Sequence, residues 1–397
     1  MGYVAVKGGT RAIEASIRRL TYERLKHGTV LDVNRIRAGL RGLVDQVMSE
    51  GSLYSPDIAA LCIKQAEGSP EEAVFTLRAF RSTLPRKHYT EGVHTTGMSV
   101  ERRISATFKD IPGGQILGAS YDYIHRLIDF GLTEETDEDA ARWLSAWQAA
   151  AAGNGAAMSG IGELPKVLDY LRHNGLMRSV ERDDSPPKDV TYESLRFPTS
   201  RSERLQVLTR GQTGAVTALG YASLRGYGPL LHPTVGELRV GHVAAHVRDP
   251  FGDEGAADSN DDYYIGEFRV TEVESVVPVS VPRGGGEAEI EFDIGYGVCF
   301  GQNETKAIAM SLLDQCLERP DPDHPTHDEE FVLLHIDSVE ATGFISHLKL
   351  PHYVTFQSEL DAVRKSRDHG DAPAGSDAAE LPEETRVEAK WPGGGAG

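Results

Sequence analysis

Two periodicities divide this chain. Through the first ~130 residues apolar side chains recur every three or four positions, the spacing of a helix face, whereas long β-branched runs gather only beyond residue 230. Ile13, Ile17 and Leu20 predict a helix from about Thr10, and Val33, Ile36, Leu40, Val44 and Val47 predict a second. Pro56 and Pro70 occupy first-turn positions, and Ser69 with Glu72 reads as a capping box around Pro70. A further helix is expected near Ser120, carrying Tyr123, Ile124, Leu127 and Ile128. Beyond residue 200, Glu203–Leu208 and Thr213–Leu224 read as helices, Glu237–Val247 and Ile265–Val277 as strands, and Glu287–Phe300 as a hairpin. Asn303 is placed to cap a helix ending near Cys316. At the start, Tyr3–Val6 reads as a short strand running into Lys7-Gly8-Gly9.

Helices and strands segregated in this way predict an α+β protein. The expected organisation is a mainly helical N-terminal domain (1–132), a variable connecting segment with one or two helices (133–200), and a mixed α/β C-terminal domain with a His-rich loop (201–367). The tail from 368 to 397 is rich in Asp, Glu, Ala, Gly and Pro. It has too little apolar surface to order itself and is expected to be disordered.

Charge and cysteine usage narrow the function. Forty-one Lys and Arg against 60 Asp and Glu leave a net charge of −19, which argues against non-specific nucleic-acid binding and against adhesion to anionic membranes. A local basic pocket for a phosphorylated substrate remains compatible. No run of about 18 apolar residues predicts a membrane span. Cys62, Cys299 and Cys316 form no CxxC, so no iron–sulfur cluster or zinc ribbon is expected within this chain, and a reducing cytoplasm is. The chain has no P-loop, no GxGxxG opening a βαβ unit, no HExxH and no GxSxG, since Gly295-Tyr296-Gly297 lacks the third glycine.

Histidine is the sharpest local signal. Five of 14 histidines (His324, His327, His335, His347 and His352) fall within 29 residues, where even scatter would place about one. His347 and His352 flank Pro351, whose bend allows both rings to converge on a metal; two loop histidines that merely pack are the alternative. The second signal is Arg102 and Arg103 followed by Lys109 and the pair Gly113-Gly114. Cations near backbone amides that approach closely suit an anion, although a charged helix face followed by a plain turn fits as well. Lys7 before a helix start has the same two readings. Asp110, Asp122, Asp337 and Glu340 are weak candidates for a catalytic carboxylate, because spacing alone cannot choose among them.

Longer blocks carry a resemblance. The opening Tyr3–Gly9, the stretch Thr95–Met98 with Glu101–Ser105 and Lys109–Gln115, and Tyr121–Tyr123 with His125–Leu127 resemble the PhnI subunit family of bacterial carbon–phosphorus lyase. Arg204–Gln206, Arg225–Gly228, Asp328–Leu333 and Ser346–Val354 continue the likeness, which covers roughly residues 3–365 and weakens at about 133–195 and 250–262. The resemblance implies a core subunit of phosphonate catabolism, a transferase component that is purine nucleosidase-like on ATP or GTP. With PhnG, PhnH and PhnL it would form α-D-ribose 1-methylphosphonate 5-triphosphate and adenine from ATP and methylphosphonate. PhnJ, the radical-SAM partner, would then break the C–P bond. The resemblance also implies a central PhnI homodimer and places the family's metal-binding histidines at His347 and His352, facing PhnJ. Zinc or iron is the expected ion there, with Mg²⁺ accompanying ATP. A mainly structural scaffold that shares an interface metal with PhnJ is the competing reading.

Overall fold

The computed structural model describes residues 9–153, 164–177, 185–226, 232–248, 262–282, 288–350 and 352–368. The chain divides into a large unit, 6–345, and a small one, 1–5 with 346–397; the boundary falls at Ser346, the last residue of the helix Ser338–Ser346, the rest of which belongs to the large unit. In the large unit the elements are α1 (Gly9–Leu25), α2 (Val33–Gly39), α3 (Arg41–Gly51), α4 (Pro56–Gln65), α5 (Pro70–Ser82), β1 (Ser99–Ile104), α6 (Asp137–Gly153), α7 (Asp169–His173), α8 (Arg201–Arg210), α9 (Thr213–Leu224), β2 (Thr234–Val247), β3 (Tyr263–Pro282), β4 (Ala288–Phe300), α10 (Glu304–Leu317), α11 (Glu329–His335) and α12 (Ser338–Ser346). The described part of the small unit holds α13 (Tyr353–Asp368). The α+β class expected from the sequence holds.

Local chemistry explains the helix starts. Ser55 and Ser69 each accept the amide three residues ahead, and Ser200 with Glu203 forms a complete, reciprocal capping box. Helices α2 to α5 pack Ile36, Val47, Met48, Ile63, Val74 and Leu77 into one apolar cluster. Strands β1-β2-β3-β4 form an antiparallel sheet in that order, with Val240 opposite Thr271 and Val273 opposite Gly297. One face of the sheet, through Leu238, Val240, Val273 and Cys299, packs on Met310 and Leu313 of α10. Gly297 permits that approach: a Cβ there would lie 2.0 Å from the Ala307 carbonyl oxygen. The Gly-Tyr-Gly of β4 is thus a packing device.

Four expectations need correction. The single helix over 33–47 is two helices, broken at Leu40, whose φ −107° and ψ 43° are non-helical; Gly39 and Gly42 flank the break and lower the cost of leaving the helix. Ser120 opens a 3₁₀ turn, Tyr121–Tyr123, instead of a helix, because Asp122 turns away to an arginine and Arg126 takes φ 54°. Residues 288–300 are one strand whose hairpin partner is β3. Asn303 stands at the α10 N-cap, but its side-chain amide donates to the Phe300 carbonyl and caps no amide of the helix. Tyr3–Val6, Lys7, the tail beyond Asp368 and most of the acidic loop at 253–262 lie outside the described residues.

Candidate functional site

The loop after β1 is built by the two arginines that were expected to touch phosphate. Arg102 and Arg103 sit on β1, 3% and 0% exposed. Arg103 donates Nε to Glu237 at 2.6 Å, Nη1 to the Pro112 carbonyl and Nη2 to the Pro165 carbonyl at 2.8 Å. Arg102 reaches Asp122 at 2.5 Å, Glu304 at 3.0 Å and the Leu117 carbonyl. Adjacent on β1, the two side chains leave the strand on opposite faces, and each guanidinium is covered there by carboxylates and loop carbonyls. This departs from the direct phosphate contact expected of Arg102 and Arg103; they brace the loop.

What the braced loop presents outward is Lys109, Asp110, Gly113 and Gly114, all exposed. Gly113 has φ +80°, and a Cβ on it would lie 2.4 Å from Leu164. No other residue fits that turn without displacing its support. The backbone of Arg103 and Ile116 closes the loop with two hydrogen bonds of 2.8 Å.

Behind the loop, the sheet face opposite α10 is charged and buried. Arg239 donates Nη2 to Glu272 at 2.6 Å, Lys166 lies 3.0 Å from Glu272 and 3.2 Å from Glu274, and Arg172 reaches Glu274 at 2.9 Å. Thr95 and the Tyr296 hydroxyl donate to Glu272 at 2.6 and 2.9 Å. Burial alone would raise the Glu272 carboxyl, but Lys166, Arg239 and the Thr95 hydroxyl hold it at about 2. Burial and the same carboxylate push Tyr296 well above its ordinary range. Sequence reasoning missed this network. Its signal is the period-two charge at Glu237/Arg239 and Glu272/Glu274, which reads by default as a solvent face.

The four candidate carboxylates are not brought together by any described contact. Asp122 is tied to Arg102, and Asp110 is exposed near Lys109. Asp337 takes a two-pronged contact from Arg78, at 2.6 and 2.9 Å, and accepts the amides of Val339 and Glu340 at the start of α12. Arg78 also donates to the carbonyls of Glu50 and Arg210, so Asp337 belongs to a structural hub. Glu340 is exposed on α12.

In the small unit, the His347 and His352 ring centres lie 5.3 Å apart with planes at 73°. Two imidazoles bound tetrahedrally at ~2.0–2.1 Å from zinc would place their ring centres about 5 Å apart. Nδ1 of His352 lies 2.7 Å from the Leu350 carbonyl, so Nε2 is the nitrogen left for an ion. The pair therefore fits a divalent metal that keeps open positions. Among the described residues no group of three or more His, Cys, Asp or Glu is placed to hold a metal. No described helix is long and apolar enough to cross a membrane.

A family of bacterial phosphonate metabolism matches almost the whole chain. The model of the family described as "Bacterial phosphonate metabolism protein (PhnI)" matches residues 2–370. Two relatives bear the name alpha-D-ribose 1-methylphosphonate 5-triphosphate synthase subunit PhnI. That of Rhizobium meliloti is 43% identical over 387 residues, 94% of this chain and 97% of the relative. That of Escherichia coli is 42% identical over 379 residues, 93% of this chain and all of the relative. HtxH of Stutzerimonas stutzeri is 43% identical over 378 residues, 94% of this chain and 98% of its own length. The chain belongs to the PhnI family.

Proposed function

We propose that this chain is the PhnI subunit of α-D-ribose 1-methylphosphonate 5-triphosphate synthase, working with PhnG, PhnH and PhnL. The observation that carries the proposal is the 42–43% identity, over 93% or more of the chain, to two relatives bearing that name. In the reaction the bond from C1′ of ATP to adenine breaks, methylphosphonate oxygen bonds to C1′, and adenine leaves with a proton. Positive charge grows on the ribose and negative charge on the purine. A carboxylate near C1′ and a proton donor near the base lower that barrier.

Lys109 and the amide of Gly113 are the groups assigned to the triphosphate, with Mg²⁺ neutralising part of its charge; the Gly114 amide, expected from the sequence to join them, is instead donated to the Ile111 carbonyl at 2.9 Å within the turn. Asp110 shares that exposed loop with them, and Asp122 is oriented by Arg102, which makes these two the better-supported carboxylates. Asp337 is occupied by Arg78. Lys7 keeps its proposed anion role from sequence alone. His347 and His352 are assigned a zinc or iron ion at the surface used by PhnJ. When bound, such an ion supplies a Lewis-acidic centre with positions open to a further ligand.

The test is adenine release from ATP by the reconstituted PhnG, PhnH, PhnI and PhnL set, with and without methylphosphonate. Asp110→Asn or Asp122→Asn is expected to lower the rate at least 100-fold while Asp337→Asn acts through stability. A reconstituted set that releases no adenine would sink the reading. A scaffold role has one observation in its favour: Leu127, Ile128 and Phe130 are 82, 79 and 75% exposed, as suits residues that partner subunits cover. Under that reading, replacing these three residues with Ser abolishes assembly, and the isolated chain is inert.

A further inference from the structure

The histidine-rich segment holds a second pair of rings that the reading above does not use. We infer that His324 and His327 bind a divalent transition-metal ion of their own, within residues 319–327. His324 stands at the N-cap of the single turn Pro325–His327 and His327 ends that turn, and their ring centres lie 5.8 Å apart with planes at 54°. His327 is 2% exposed, and its Nδ1 lies 2.5 Å from the Arg319 carbonyl. A carbonyl only accepts, so Nδ1 carries the proton and Nε2 presents a lone pair. That Nε2 is buried and has no hydrogen-bond partner. An imidazole lone pair left unpaired in the interior is unfavourable and calls for a cation or a donor.

His324 is arranged in the same way. Its Nδ1 lies 2.8 Å from Asp321 Oδ2, which leaves Nε2 for another ligand. Each ring is thus held at Nδ1 by an outer acceptor, a carbonyl for one and a carboxylate for the other, as metal-bound histidines are. The His324 side chain is 28% exposed, so an ion reaches the pair from solvent while His327 holds it from beneath. Two neutral nitrogens favour zinc, nickel or copper over magnesium or calcium. No third His, Cys, Asp or Glu is placed to hold an ion with them among the described residues, so water or an added ligand completes the sphere.

The experiment uses the full chain, stripped with a chelator and titrated with Zn²⁺ against a chromogenic competitor. In the His347→Ala/His352→Ala background one equivalent of zinc remains. Adding His324→Gln to that background removes it, and Asp321→Asn weakens it about 10- to 100-fold. His324 is the position to change because it is partly exposed, and circular dichroism checks that the fold is kept. A background protein that takes up no zinc overturns the inference and leaves a water molecule as the partner of His327. Retention of the equivalent after His324→Gln also overturns it. If the proposed His347/His352 site alone is wrong, the unmodified chain binds one equivalent that is lost with His324→Gln.

Discussion

Glu272→Gln isolates what the buried charge on the sheet is worth. The change keeps the size of the side chain and an acceptor for Tyr296 and Thr95, but removes the charge beside Arg239 and Lys166. The Glu272 carboxyl sits at about 2 against an ordinary 4.5, a gap of 2.5. At ~1.36 kcal/mol per unit that is roughly 3 kcal/mol, close to the ~3–5 kcal/mol lost when one partner of a buried ion pair is removed. Because the carboxyl is depressed in the folded state, its contribution is complete above pH ~4.5 and disappears as pH falls toward 2. Urea unfolding followed by circular dichroism at pH 7 is expected to show the variant about 3 kcal/mol less stable. The wild-type protein should lose stability between pH 5 and 3 more steeply than the variant. A variant within about 0.5 kcal/mol of wild type at pH 7, with an unchanged acid limb, would refute the assignment of Glu272 as the charged centre of the network.

Arg103→Ala should lower stability by at least ~3 kcal/mol, because it leaves Glu237 buried and unpaired; a thermal melt within two degrees of wild type would return Arg103 to the role of a ligand contact. Lys109→Ala should leave the melt unchanged and weaken ATP binding in the assembled complex, more at low salt than at high; unchanged affinity would remove Lys109 from the triphosphate site. Gly297→Ala should cost several kcal/mol, since its Cβ would stand 2.0 Å from the Ala307 carbonyl oxygen, and soluble protein with an unaltered melt would show that α10 shifts freely. Truncation after Asp368 should move the melting temperature by a degree or two at most, and a large drop would mean that the acidic tail docks.

Sequence by itself determined the α+β class, most helix starts and the long strands. Serines ahead of Pro56, Pro70 and Glu203, and β-branched runs over 237–247 and 265–277, act through neighbours a few residues away, so they are legible without the fold. The His347 and His352 rings that come together are likewise only five positions apart in the chain. The fate of Arg102 and Arg103 was a different matter. Glu237 lies 134 positions from Arg103, and Glu304 lies 202 from Arg102; only β1 pairing with β2 and the start of α10 bring them together. Likewise Lys166 meets Glu272 across 106 positions, turning an alternating charged pattern that reads as solvent-facing into a buried network. Charge has no preferred chain separation. Local pattern therefore determined where segments bend and pair, while tertiary structure decided which ions are paired inside and which, such as Lys109, remain turned outward.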